Sequence, residues 1–167
     1  LLADDHTVVR QGLRKVLEER PEWHVVAEAG DGRDAVRLAE QHRPDVAVVD
    51  VAMPLLNGIE ATRQITKRAP QTRVLVLSMY SDEAYVTQML KAGATGYLLK
   101  DSADVDLLQA VQAVSQGKSF FSPAVARLMS DDYARQRSQY VRAGHGVPPP
   151  GATPIDQSGD DGSAASR

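Results

Sequence analysis

Apolar positions along this chain follow two alternating rhythms. Residues 46–49 and 74–77 are short unbroken apolar runs rich in Val, the pattern of strands buried on both faces of a parallel sheet. Residues 1–3, 24–29 and 95–99 read as three further strands. Between the strands, apolar residues return at helical spacing. Val9, Leu13, Val16 and Leu17 mark a helix over residues 6–19, and Val36, Leu38 and Ala39 mark one over 34–43. Two more cover 59–69 and 82–92, and Val105, Leu108, Val111 and Val114 mark a fifth over 102–116. Pro21, Pro44, Pro70, Gly93 and Gly117 close them. Five strands alternating with five helices predict an α/β fold: a doubly wound five-stranded parallel sheet with right-handed crossovers.

The rhythm changes after Gly117. Phe120 and Phe121 are the chain's two phenylalanines, and Ser122-Pro123 has the form of an N-cap with proline at the first helical position. Val125, Leu128 and Met129 predict a linker helix ending near Tyr140. From Val141 onward Gly, Pro, Ser, Ala and Asp dominate, and Pro148-Pro149-Pro150 favours an extended chain. The expected organisation is a domain over 1–117, a linker helix over 118–140 and a disordered tail over 141–167. The three residues of the first run look like the second half of a strand, so a truncated N-terminus is expected.

Composition narrows the field. At 167 residues, with 43% hydrophobic and 25% charged, the chain suits one globular domain plus an appendage. A net charge of -3 gives no bulk attraction to nucleic acid or acidic membranes. The absence of cysteine excludes disulfides and thiolate metal sites. No apolar stretch spans a bilayer and no signal peptide opens the sequence, so the expected location is cytoplasmic, with no membrane contact.

In the predicted layout Asp4, Asp5, Asp50, Ser78 and Lys100 all stand at carboxyl ends of strands, where open α/β sheets bind ligands. Singly, each has a plainer reading as a cap or a solvated end residue. Together they describe a chemistry. Three neighbouring carboxylates repel unless a cation joins them, and Mg²⁺ suits oxygen ligands with positions left for water and phosphate. Lys100 offers a point charge to a phosphoryl oxygen, Ser78 one hydrogen bond, and Asp50 a nucleophile able to form an acyl phosphate.

Several stretches carry a family resemblance. They are Leu2-Ala3-Asp4-Asp5-His6, Asp50-Val51-Ala52-Met53-Pro54 with Asn57-Gly58, Leu77-Ser78-Met79-Tyr80, and Ala92-Gly93-Ala94 through Gly96-Tyr97-Leu98-Leu99-Lys100-Asp101. Over residues 1–120 the chain resembles the flavodoxin-like (CheY-like) receiver of bacterial two-component response regulators, in the NarL/FixJ branch. The resemblance implies that Asp50 is phosphorylated by a sensor histidine kinase. It implies that Asp5, Asp50 and the backbone carbonyl of Ala52 bind Mg²⁺, with Asp4 assisting. Ser78 and Lys100 would hold the phosphoryl group, and Tyr97 would be an aromatic switch that turns inward on activation. The face of the fourth helix, fifth strand and fifth helix would then be remodelled, around Tyr85, Met89 and Val105, to support a phosphorylation-dependent homodimer. Two departures stand out. Asp101 follows the lysine where many receivers have proline, and nothing after Phe121 resembles the branch's helix-turn-helix, so direct DNA binding by this chain is not expected.

The strongest rival is an Mg²⁺-dependent phosphohydrolase with an aspartyl nucleophile. Such enzymes carry a second Asp two residues later for proton transfer; here that position is Ala52. The reading is therefore a non-enzyme, a phosphoacceptor that catalyses only its own phosphorylation and dephosphorylation. Gly30-Asp31-Gly32 is better taken as a tight turn than as a dinucleotide fingerprint. His6, His24, His42 and His145 lack metal-ligand spacing and read as surface or cap residues.

Overall fold

Successive residues of the apolar runs part to opposite sides of one sheet, as the period of two requires. Ala47 and Val49 share a buried layer with Val74, Val76 and Tyr97, while Val48 lies with Leu75, Leu77 and Leu98 on the other side. The computed structural model describes residues 1–142. In order they form β1 (Leu2–Ala3), α1 (Thr7–Leu17), β2 (Glu28–Ala29), α2 (Gly32–His42), β3 (Val46–Asp50), α3 (Gly58–Arg68) and β4 (Arg73–Ser78). Then come α4 (Glu83–Lys91), β5 (Gly96–Leu99), α5 (Ala103–Ser115), β6 (Phe120–Phe121) and α6 (Pro123–Arg142). α2, α3 and α4 cover the first layer, and α1 and α5 the second.

The sheet is parallel, in the order β2-β1-β3-β4-β5-β6. The predicted sheet has five strands; the structure has six. Phe120 and Phe121 pair with Gly96 and Tyr97, so the sheet extends past Gly117. β2 is shorter than predicted, because its partner β1 offers only Leu2 and Ala3 for pairing. The stripe assigned to α5 also needs correction. Val105 is 75% exposed, and the buried set is Ala103, Leu107, Ala110, Val111 and Val114. A strict spacing of three walks around a helix of 3.6 residues per turn, whereas steps of three and four stay on one face.

A first compact unit spans Leu1–Ser130 and a second begins at Asp131. Val125 of α6 is fully buried in the first layer, with Met129 packed beside it. Helix α6 runs to Arg142, two residues past the predicted end at Tyr140; the rest of the expected tail lies outside the described residues. Among the described residues no helix is long and apolar enough to cross a membrane.

Strand order places the site. The chain moves from β1 outward to β2, then returns past β1 to β3, so the loops after β1 and β3 diverge and leave a crevice between them.

Candidate functional site

Each side chain at the crevice is placed by a strand end. Asp4 follows β1, Asp50 is the last residue of β3 and Ser78 the last of β4; Lys100 opens a 3-10 turn directly after β5. The peptide before Lys100 is tied down from outside the predicted domain. Leu99 donates its backbone N–H to Ser122 Oγ at 3.0 Å, and Ser122 is itself buried. The floor under Asp50 depends on Gly58. Its N–H donates to Val51 O at 2.9 Å, and a Cβ there would collide with the Asp50 carbonyl. Asn57 caps α3 by accepting from Glu60 N, which explains the Asn57-Gly58 pair.

Lys100 Nζ bridges two carboxylates, 2.8 Å from Asp4 Oδ2 and 3.2 Å from Asp50 Oδ2. Asp50 Oδ1 accepts from Ala52 N at 3.3 Å. Asp5 stands at the rim, more exposed than Asp4 and Asp50. One oxygen from each of Asp4, Asp5 and Asp50, together with a ring nitrogen of His6, lies within 4.8 Å of the others. This cluster has the donors to hold a metal ion. Burial pushes the Asp50 carboxyl above its ordinary value, Lys100 pulls it back, and the Asp4 charge pushes it up again. Burial works against the Lys100 ammonium too, but the bonds and charges of Asp4 and Asp50 outweigh it and the ammonium is held more tightly than usual.

Ser78 is fully buried, and its Oγ accepts from Tyr80 N at 2.9 Å. Tyr97 was expected to turn inward on activation, yet its ring is already inside, at 0% exposure, with the hydroxyl donating to Tyr80 O at 2.6 Å. Burial raises its pKa. A hydrogen-bond acceptor at the inner end of the ring's path supplies the reason, because a buried hydroxyl needs a partner. Tyr80 in turn stacks on Tyr85, ring centroids 4.9 Å apart. Met89, expected on the face that activation remodels, is fully buried in the first layer.

Thus the crevice brings together Asp4, Asp5, Asp50 and Lys100, while Ser78 closes the neighbouring strand β4 with its hydroxyl accepting from Tyr80 N. Sequence reasoning missed two residues. His6, taken as surface or cap, puts Nδ1 2.9 Å from Asp5 Oδ1 and 3.2 Å from Asp4 Oδ1. Its place directly after two site aspartates was the available signal. Ser122, read only as a helix cap, anchors the Lys100 turn; no local pattern in the sequence reveals a partner 23 residues away.

The sequence profile of the "Response regulator receiver domain" family matches residues 1–112, two thirds of the chain. The chain belongs to the response regulator receiver family. This receiver is 44% identical over 135 residues to the transcriptional regulatory protein DegU of Brevibacillus brevis, covering 81% of this chain and 57% of that protein. It is 39% identical over 137 residues to the oxygen regulatory protein NreC of Staphylococcus epidermidis, covering 81% and 63%. The chain therefore spans about three fifths of the length of these curated relatives. Among solved structures it is similar to a LuxR-family two-component response regulator from Aurantimonas, with a TM-score of 0.76 and 38% identity, covering 80% of this chain and 95% of that one. The signal receiver domain of the response regulator NarL from Mycobacterium tuberculosis follows at 0.67 and 37%, covering 70% and 94%. The NarL/LuxR branch and the flavodoxin-like fold stand. The phosphohydrolase alternative finds no support, and Ala52 places no acid or base beside Asp50.

Proposed function

We propose that this receiver takes a phosphoryl group from the phosphohistidine of a sensor kinase onto Asp50. A lone pair of an Asp50 carboxylate oxygen attacks phosphorus, the P–N bond breaks, and its electrons stay on the kinase imidazole. The observation that supports this best is Asp50 itself, a buried carboxylate whose nearest cation, Lys100, is 3.2 Å away. Burial favours its protonated, non-nucleophilic form, and the lysine opposes that by stabilising the carboxylate. Lys100 then follows the negative charge from the carboxylates to a phosphoryl oxygen, and the Ser78 hydroxyl donates to a second. Asp4, Asp5, Asp50 and the Ala52 carbonyl are assigned to Mg²⁺, and the oxygen donors present fit it. When bound, the ion neutralises charge on the transferring group.

The same reading extends to the rest of the chain. The receiver module runs from β1 through β6 and includes the buried Val125 at the start of α6, the rest of α6 acts as a linker, and the protein works in the cytoplasm. Phosphorylation remodels the α4–β5–α5 face, where Tyr85 and Val105 are exposed, and joins two receivers there. The relatives are named as transcriptional and oxygen regulatory proteins and extend beyond the aligned region. Control of transcription through an effector segment is the output assigned to this chain. Among the described residues α6 is the one helix after β6, and a helix-turn-helix needs two, so residues 1–142 are assigned no direct DNA contact. Acetyl phosphate with Mg²⁺, read by intact mass, tests the centre of this proposal. One phosphoryl group should add to the wild type and none to Asp50→Asn; an undiminished gain in the variant sinks the assignment.

A further inference from the structure

The residue that the receiver reading leaves unused is His6. We propose that His6 Nδ1 is an additional protein ligand of the cation site, beside Asp4, Asp5, Asp50 and the Ala52 carbonyl, and that it makes the site prefer a first-row transition ion of the Mn²⁺–Co²⁺–Ni²⁺ series to Mg²⁺. The inference rests on the metal site proposed above. Its support is geometric. In an octahedron with bonds of roughly 2.0–2.1 Å, neighbouring ligand atoms lie about 3 Å apart. His6 Nδ1 is 2.9 Å from Asp5 Oδ1 and 3.2 Å from Asp4 Oδ1, the spacing of ligands on adjacent corners. His6 N–H already donates to Asp4 Oδ1 at 2.8 Å, which fixes the backbone beneath the imidazole.

Chemistry then decides which ion gains. Mg²⁺ takes oxygen ligands and retains its waters, so an imidazole adds little to its binding. For transition ions imidazole is a strong donor, and affinity for a mixed nitrogen and oxygen site climbs along the series toward copper. The plainer role for the ring is a hydrogen bond that steadies the carboxylates. In that role its loss would alter the binding of every divalent ion alike.

Calorimetric titrations of the whole chain with Mg²⁺ and with Co²⁺ separate the two, with the visible absorption of the Co²⁺ complex recorded alongside. His6 is two-thirds exposed, at 67% for its side chain, so His6→Ala and His6→Gln are expected to fold. In His6→Ala, Co²⁺ affinity should fall roughly tenfold or more while Mg²⁺ affinity holds. In His6→Gln the Co²⁺ spectrum should move. Equal changes for both ions, or a spectrum indifferent to residue 6, overturn the inference and leave the Mg²⁺ site intact. A wild-type chain that binds neither ion, or an Asp5→Ala chain that binds both undiminished, removes the metal site itself and this proposal with it.

Discussion

At the scale of single residues, the crevice holds charge at a cost to the fold. Asp50 has its pKa raised by burial, so its ionised form destabilises the native state above that pKa, and the cost disappears as pH falls toward the ordinary carboxylate value of 3.8. Without divalent cations, Asp50→Asn should therefore be more stable than wild type at neutral pH, by on the order of 1 kcal/mol in urea unfolding. The gap should narrow as pH is lowered toward 4, since only the wild type gains from protonating residue 50. A gap independent of pH would mean that Asp50 is not the strained group. Tyr97 makes the opposite contribution. Tyr97→Phe leaves the Tyr80 carbonyl short of a donor and should cost about 1 kcal/mol. It should also disturb the Tyr80–Tyr85 stack, visible in near-ultraviolet circular dichroism. Unchanged stability and spectrum would show that the hydroxyl does not hold the loop. The inward ring was not legible in the sequence, because a tyrosine on a strand carries no mark of which acceptor its hydroxyl will find.

At the scale of elements, the sequence was most readable where burial is complete. The runs in β3 and β4 lie between two helical layers, so every position must be apolar and the run stands out. β6 escaped notice because two residues show no period, and its partner β5 is separated from it by a whole helix. The loop from Asp50 to α3 was legible as a turn, but not the reason for its glycine. Gly58 brings the first turn of α3 against the end of β3, and Gly58→Ala should force the two apart. The expected cost is about 2 kcal/mol, with slower phosphorylation by acetyl phosphate as Asp50 is displaced. Normal stability together with a normal rate would show that the collision is relieved elsewhere. Leu55, in the same loop, holds a positive φ of 64° while 70% exposed, and nothing in the structure explains why leucine stands there.

At the scale of the whole molecule, cation binding and folding are linked. An ion that binds only the native crevice stabilises the chain by RT ln(1 + [L]/Kd), about 2.7 kcal/mol at a hundredfold excess over Kd. Thermal unfolding should shift upward with Mg²⁺ in the wild type and scarcely in Asp5→Ala; equal shifts would place the ion elsewhere. The site's strand-end residues were legible because each follows an apolar run, while His6 and Ser122 were not, because their roles depend on neighbours that only the fold supplies. Ser122 matters for anyone who wishes to transplant this receiver onto a different output. A splice after Gly117 follows the visible change in composition, yet it discards β6, the buried Val125 and the acceptor for Leu99 N–H. Chimeras joined there should lose roughly 3 kcal/mol or more against ones joined after Ser130, as chemical denaturation would record, and should respond poorly because the Lys100 turn has lost its anchor. If the two junctions perform alike, Ser122 is dispensable. Otherwise the last turn of the signalling machinery is written in residues that look like the beginning of a linker.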